Sequence, residues 1–229
     1  MLLGSIINAI LIIIGSVIGI LLRKGLPDRL KTTLMQGMSL AVILIGFQMA
    51  IKSEELLVVI FSLGVGALIG ELINIEDKLQ KLGKWIQKRF SKNSKDDFAR
   101  AFVTSSLVYC VGAMAIMGAL QSGLEGNHST LIAKGMIDGI TSIVFTSTLG
   151  IGVMFSALPV FVYQGGITLL AGWLNQFLSP YIIVEMSAVG GLLIAAIGFN
   201  ILQVAKIRVG NLLPAIFMPI IIMQVLSLF

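Results

Sequence analysis

Four carboxamides interrupt otherwise apolar runs of this chain: Asn8, Gln48, Gln164 and Asn200. Each carries two donor hydrogens and a carbonyl acceptor, and leaving any of them unpaired in an apolar medium is costly. They read either as hydrogen bonds between helices or as the lining of a polar site. Asp138 sits just inside another apolar run, with Lys134 four residues before it, so a helix would offer an i,i+4 ion pair. A carboxylate at that depth can couple a proton or bind a cation, and Asp138 is the residue expected to do so. The hydroxyls Thr104, Ser105, Thr146, Ser147 and Thr148 are candidate solute contacts. Taken singly, a Ser or Thr bonds its own helix carbonyls and merely packs. The run Thr146-Ser147-Thr148-Leu149-Gly150-Ile151-Gly152 is different, because its hydroxyls face several sides of a helix that two glycines then weaken. A break there would offer backbone groups to a ligand.

Other chemistries find little support. Cys110 is the single cysteine and His128 the single histidine, which excludes an internal disulfide, a multi-cysteine cluster and a histidine-pair metal motif. Cys110 has no base near it in the sequence, and His128 falls in a polar stretch, LEGNHST. No HExxH and no Ser/His/Asp arrangement is present, so an enzyme is not expected, and neither a cofactor nor a metal is implied. Glu71 and Glu185 flank apolar runs, where anchoring at the membrane interface or capping a helix N-terminus suits a carboxylate.

The elements that must hold these residues are transmembrane helices. The chain has 229 residues, 57% hydrophobic and 12% charged, with mean hydropathy +1.01; a soluble domain carries about 25% charged residues. Residues 139–184 contain no Asp, Glu, Lys or Arg. The expected fold is all-α, a polytopic membrane helix bundle forming a single integral membrane domain. Apolar windows long enough to cross the hydrocarbon fall at 3–22, 35–51, 55–74, 99–120, 132–156, 159–178, 186–205 and 210–228. The first of them has no basic leader and no small-x-small cleavage site, and it reads as a span rather than a signal peptide. Pro214 and Pro219 predict a bend in the last.

Loop charge then orients the bundle. Arg23, Lys24, Arg29 and Lys31 follow the first span; Lys78, Lys81, Lys84, Lys88, Arg89, Lys92, Lys95 and Arg100 follow the third; Lys206 and Arg208 follow the seventh. Of the 16 Lys and Arg residues, only Lys52 and Lys134 lie elsewhere. Eight spans with both termini outside satisfy the positive-inside rule. A seven-span version with 132–156 re-entrant strands Lys206 and Arg208 outside and ranks second. Within the third loop, Ile75, Leu79, Leu82, Ile86 and Phe90 recur at helical spacing with lysines opposite, predicting a basic amphipathic helix over about 75–95 seated on the inner leaflet. The bilayer is therefore the expected partner and nucleic acid is not; a small solute or ion and a homo-oligomer stay open.

Two segments repeat. Leu40-Ala41-Val42-Ile43-Leu44-Ile45-Gly46-Phe47-Gln48 parallels Leu192-Leu193-Ile194-Ala195-Ala196-Ile197-Gly198-Phe199-Asn200, and Asn8 and Gln164 each stand seven residues before a small residue, Gly15 and Ala171. Spans 1–3 (about 1–74) then correspond to spans 6–8 (about 159–229), around central spans over about 99–156. An odd offset of five spans inverts one copy relative to the other, as in many secondary transporters.

The segments MLLGSIINAILIIIGSVIG, LMQGMSLAVILIGFQMAIKS, GALIGELINIEDKLQKLG, MAIMGALQSGL, STLGIGVMFSALPVFVYQG and EMSAVGGLLIAAIGFN resemble the YdfK/YqgA-like family of uncharacterised bacterial multi-pass membrane proteins. The resemblance covers essentially the whole chain. It implies a bacterial cytoplasmic-membrane location, and it supplies no substrate and no site residues. The residues themselves point to a transporter of a small polar or ionic solute working by alternating access. A passive channel and a non-transporting scaffold or sensor are the alternatives.

Overall fold

A computed structural model describes residues 1–23, 27–90 and 98–226, and every regular element among them is helical. In chain order these are α1 (Leu3–Arg23), α2 (Asp28–Ala50), α3 (Leu56–Ile73), α4 (Ile75–Phe90), α5 (Phe98–Cys110), α6 (Ala113–Leu124), α7 (Ser129–Leu149), a 3-10 segment Ile151–Ser156, α8 (Ala157–Leu169), α9 (Ala171–Leu174), α10 (Pro180–Ile201), a 3-10 segment Val209–Phe217 and α11 (Met218–Leu226).

Five stretches are long and apolar enough to cross a membrane: Leu3–Arg23, Thr32–Ala50, Leu56–Ile73, Ile151–Leu169 and Pro180–Ile201. A sixth is the pair α5 and α6, bent by 61°. Two of the expected windows, 132–156 and 210–228, are not among these. Helix α7 carries Lys134, Asp138 and a series of hydroxyls on the length that lies along α1, and the last segment is split. Pro214 lacks an N–H and its ring crowds the preceding turn, so Val209–Phe217 winds as 3-10 helix before α11 begins. The break expected after Thr146-Ser147-Thr148 falls at Gly150, whose φ of 108° favours glycine, and α7 stops at Leu149. The bend between α5 and α6 falls at Gly112, with φ 129°.

The chain divides into two compact units: Met1–Met38 with Leu79–Cys110 and Met114–Gly172, and Ser39–Lys78 with Val111–Ala113 and Trp173–Phe229. In the first, α1 and α7 run side by side in the same direction. Gly4 lies against Leu131, Asn8 against Gly135, and Gly19 against Ile143 and Thr146, the numbers rising together on both helices. At Gly15 and Gly139 the backbones are so close that a methyl group on Gly15 would collide with the Gly139 carbonyl. Small residues permit this approach in a medium where apolar side chains gain little by leaving lipid. The chain then reverses. Thr146 is level with Gly19, but Gln164 and Gly165 of α8 have returned to Asn8 and Leu2, so α8 is antiparallel to α1.

In the second unit, Ser39–Ala50 of α2 packs antiparallel on α10 through reciprocal contacts. Gly46 abuts Ala195 and the Gly191 carbonyl, while Gly198 abuts Ile43 and the Ser39 carbonyl. Phe47 and Phe199 meet edge to face, centroids 6.4 Å apart. Helix α3 lies antiparallel to Val209–Phe217, Gly66 against Ala215 and Gly70 against Asn211.

Polarity is arranged inside out. Along α1 the buried positions are Gly4, Ser5, Asn8, Ile12, Gly15, Ser16 and Gly19, while Ile6, Ile10, Ile13, Ile14 and Val17 are exposed. Exposed Ile and buried Ser and Asn suit hydrocarbon outside, not water. Helix α4 forms over the range that its periodicity predicts; Leu82 and Trp85 are exposed beside Lys78, Lys81 and Lys84. The side chains of Ile86, Lys88, Arg89 and Phe90, and residues Lys24, Lys92 and Lys95, lie outside the described set.

Candidate functional site

Inside the first unit, three helices place four polar side chains against one another. Lys134 and Asp138 stand one turn apart on α7, which puts them on one face. Lys134 Nζ donates to Asp138 Oδ1 at 2.7 Å and Oδ2 at 2.8 Å. Asn8 reaches the same carboxylate from α1, because Gly135 lets the two backbones close: a methyl there would meet Asn8 Cα at 2.9 Å. Asn8 Nδ2 donates to Asp138 Oδ2 at 3.1 Å and to Gln164 Oε1 of α8 at 3.1 Å. Asn8 and Gln164 are fully buried, Asp138 is 3% exposed and Lys134 7%.

This cluster is not complete. Asn8 Oδ1 and Gln164 Nε2 have no hydrogen-bond partner among the described residues, and neither do the buried hydroxyls of Ser5 and Ser16 on α1 and Thr146 on α7. Each such atom costs about 1–3 kcal/mol relative to a paired one. A fold that keeps several of them on one set of helices is holding polar capacity in reserve.

The other residues singled out in the sequence go elsewhere. Ser147 and Thr148 donate to the Val144 carbonyl, and Ser105 donates to the Ala101 carbonyl, all within their own helices. Thr104 is buried on α5. Gln48 and Asn200 belong to the second unit. Gln48 is exposed, and Asn200 clamps the turn after α10, donating to the Ile207 carbonyl and accepting from its N–H.

Several polar contacts were not legible in advance. Ser142 of α7 donates to the fully buried Tyr109 hydroxyl at 2.9 Å, and that ring stacks on Phe145. Glu185 does not cap its own helix: α10 starts at Pro180 under a Ser179 cap, and Glu185, fully buried, accepts from Ser53 Oγ at 2.6 Å and from the backbone N–H of Glu54 and Glu55. Glu71 is more than an interfacial anchor; it accepts from Arg208 at 2.6 Å and from Asn211 Nδ2 at 2.5 Å. Asn211 in turn accepts from Glu76 N–H, and Glu76 accepts from Gly210 N–H. The signal for Asn211, a lone carboxamide three residues before Pro214, was available and carries no distance information. His128 Nδ1 and Ser122 Oγ share a hydrogen bond of 2.8 Å, and Ser122 Oγ also lies 2.8 Å from the Met1 carbonyl oxygen.

An all-helical chain with apolar faces outward and a buried polar cluster is an integral membrane protein. It belongs to the family described as Protein of unknown function (DUF554), whose profile matches residues 3–224. It is 36% identical to the Uncharacterized membrane protein YdfK of Bacillus subtilis (strain 168), over 99% of this chain and 97% of that one. It is 31% identical to the Uncharacterized protein YqgA of Escherichia coli (strain K12), over 95% and 94% respectively. No solved structure matches the chain.

Proposed function

We propose that this protein carries a small polar or ionic solute across a bacterial cytoplasmic membrane by alternating access, and that Asn8, Gln164, Asp138 and Lys134 form the binding site. The observation that carries the reading is the Asn8–Gln164 pair, buried beside an ion pair with one unspent polar atom on each carboxamide. A scaffold has no use for such atoms, whereas a solute site does.

An inverted repeat fits the same residues. Near a two-fold axis, equivalent residues touch each other. Asn8 bonds Gln164 and Phe47 packs on Phe199, the very pairs that align between the two copies. The contact of Gly46 with Ala195 is mirrored by that of Gly198 with Ile43, each at an offset of 152 (198 − 46 and 195 − 43). Helix α8 runs against α1, as inversion requires. Solute sites in such transporters lie between the copies, and α1 and α8 meet at the carboxamide pair.

Both oxygens of Asp138 are held by Lys134, so a cation would have to displace the lysine, whereas a proton would release it. Proton coupling is therefore the role we assign to Asp138. The termini are placed outside, with the basic α4 on the anionic inner leaflet; no enzymatic activity and no nucleic-acid partner is proposed. A flux screen in proteoliposomes tests the reading. The Asn8→Ala/Gln164→Ala variant is expected to abolish uptake while wild type retains it, and equal flux in the two removes the site. Ohmic currents in a planar bilayer would instead favour a channel.

A further inference from the structure

The free atoms at the carboxamide pair have a definite polarity, and Asp138 sets it. A carboxylate only accepts, so the edge of Asn8 facing Asp138 must be its NH₂. The second hydrogen of that NH₂ goes to Gln164, which must therefore offer its carbonyl. By elimination Asn8 leaves a carbonyl unspent and Gln164 leaves an NH₂ unspent. The site thus presents one acceptor and one two-hydrogen donor. Its charge is already balanced, because Lys134 contacts both oxygens of Asp138. An ion entering it would bring an uncompensated charge into a low-dielectric interior, which is disfavoured by far more than a hydrogen bond returns.

We infer that the solute recognised here is uncharged and carries both a hydrogen-bond donor and an acceptor, as amides and polyols do. The donor meets Asn8 Oδ1 and the acceptor meets Gln164 Nε2. This rests on the transport reading for its setting but concerns recognition, so binding and flux are measured separately.

The probes are acetamide and glycerol on one side and sodium chloride and potassium chloride on the other. Binding is read as the shift in melting temperature of the purified full chain in detergent, and flux as stopped-flow light scattering of proteoliposomes against empty vesicles. The expected result is that at least one uncharged probe raises the melting temperature and crosses faster than in empty vesicles, while neither salt does. Gln164→Glu keeps the size of the side chain but replaces the free donor with an acceptor and adds a charge. It should weaken that probe about tenfold, the scale of one exchanged hydrogen bond, and should confer stabilisation by sodium. Stabilisation or flux with the salts alone overturns the inference and leaves transport standing. Stabilisation by an uncharged probe without flux sinks transport and leaves the inference standing. No shift and no flux with any probe overturns the inference, and the wild-type measurements decide this even where the variant does not fold.

Discussion

The two units use their polar groups in opposite ways. In the second, Glu185 takes three donors from residues 53–55, Glu71 takes Arg208 and Asn211, and Asn200 satisfies both polar atoms of Ile207. Its polar side chains close loops and helix ends, and among the described residues only the Ser62 hydroxyl is left over. In the first unit the polar groups lie along the middle faces of α1, α7 and α8, and five buried atoms there remain unspent. Satisfied polarity fixes a shape; unsatisfied polarity is a stability cost that needs another reason. That difference, more than the mere presence of Asn, Gln or Asp, separates the structural polar residues from those assigned to solute.

The largest effect should come from splitting the ion pair. Lys134→Met strands the Asp138 carboxylate inside the bundle, which costs about 3–5 kcal/mol for a buried pair. The double variant Lys134→Met/Asp138→Leu should recover most of that loss in chemical denaturation from mild detergent. Equal loss in single and double variants would mean that the pair is not the buried unit described here. Next in size is Glu185→Gln in the other unit. It removes the negative charge that strengthens three accepted hydrogen bonds, at a cost of about 2 kcal/mol. Because Glu185 belongs to the satisfied class, stability should fall while solute affinity per folded molecule stays unchanged. A changed affinity would erase the contrast between the units.

Much of this architecture could be read from residue order. Apolar runs and loop charge located α1, α2, α3 and α10 because a helix that meets lipid must be apolar along most of its length. The Asn8, Gln164 and Asp138 assignments came from single polar residues in such runs, and Lys134 from the four-residue spacing. What periodicity could not supply was the partner. Nothing local says that Glu185 reaches back some 130 residues to the turn before α3, or that Asn200 turns to clamp Ile207. Hydropathy also gave no sign of the interruption at Gly112, which arises from a backbone angle that apolar content does not register.

The smallest effects give the sharpest comparison, because they ask what a lone hydroxyl is for. Ser147 and Thr148 give their protons to carbonyls of their own helix, so Ser147→Ala and Thr148→Val should alter stability by no more than about 0.5 kcal/mol and leave flux alone. Thr146 and Ser62 are both fully buried with unspent hydroxyls, one in each unit. Replacing such a group by an apolar one of similar shape removes a desolvation cost, so Thr146→Val and Ser62→Ala should each stabilise by up to about 1 kcal/mol. Stability alone cannot tell them apart. Flux can: Thr146→Val should slow transport although the protein is firmer, since Thr146 shares the α1–α7 seam with Asn8 and Asp138, whereas Ser62→Ala should leave transport untouched. Parallel behaviour of the two variants in both assays would reduce the unspent atoms of the first unit to imperfect packing, and the case for a solute site would then rest on the carboxamides alone.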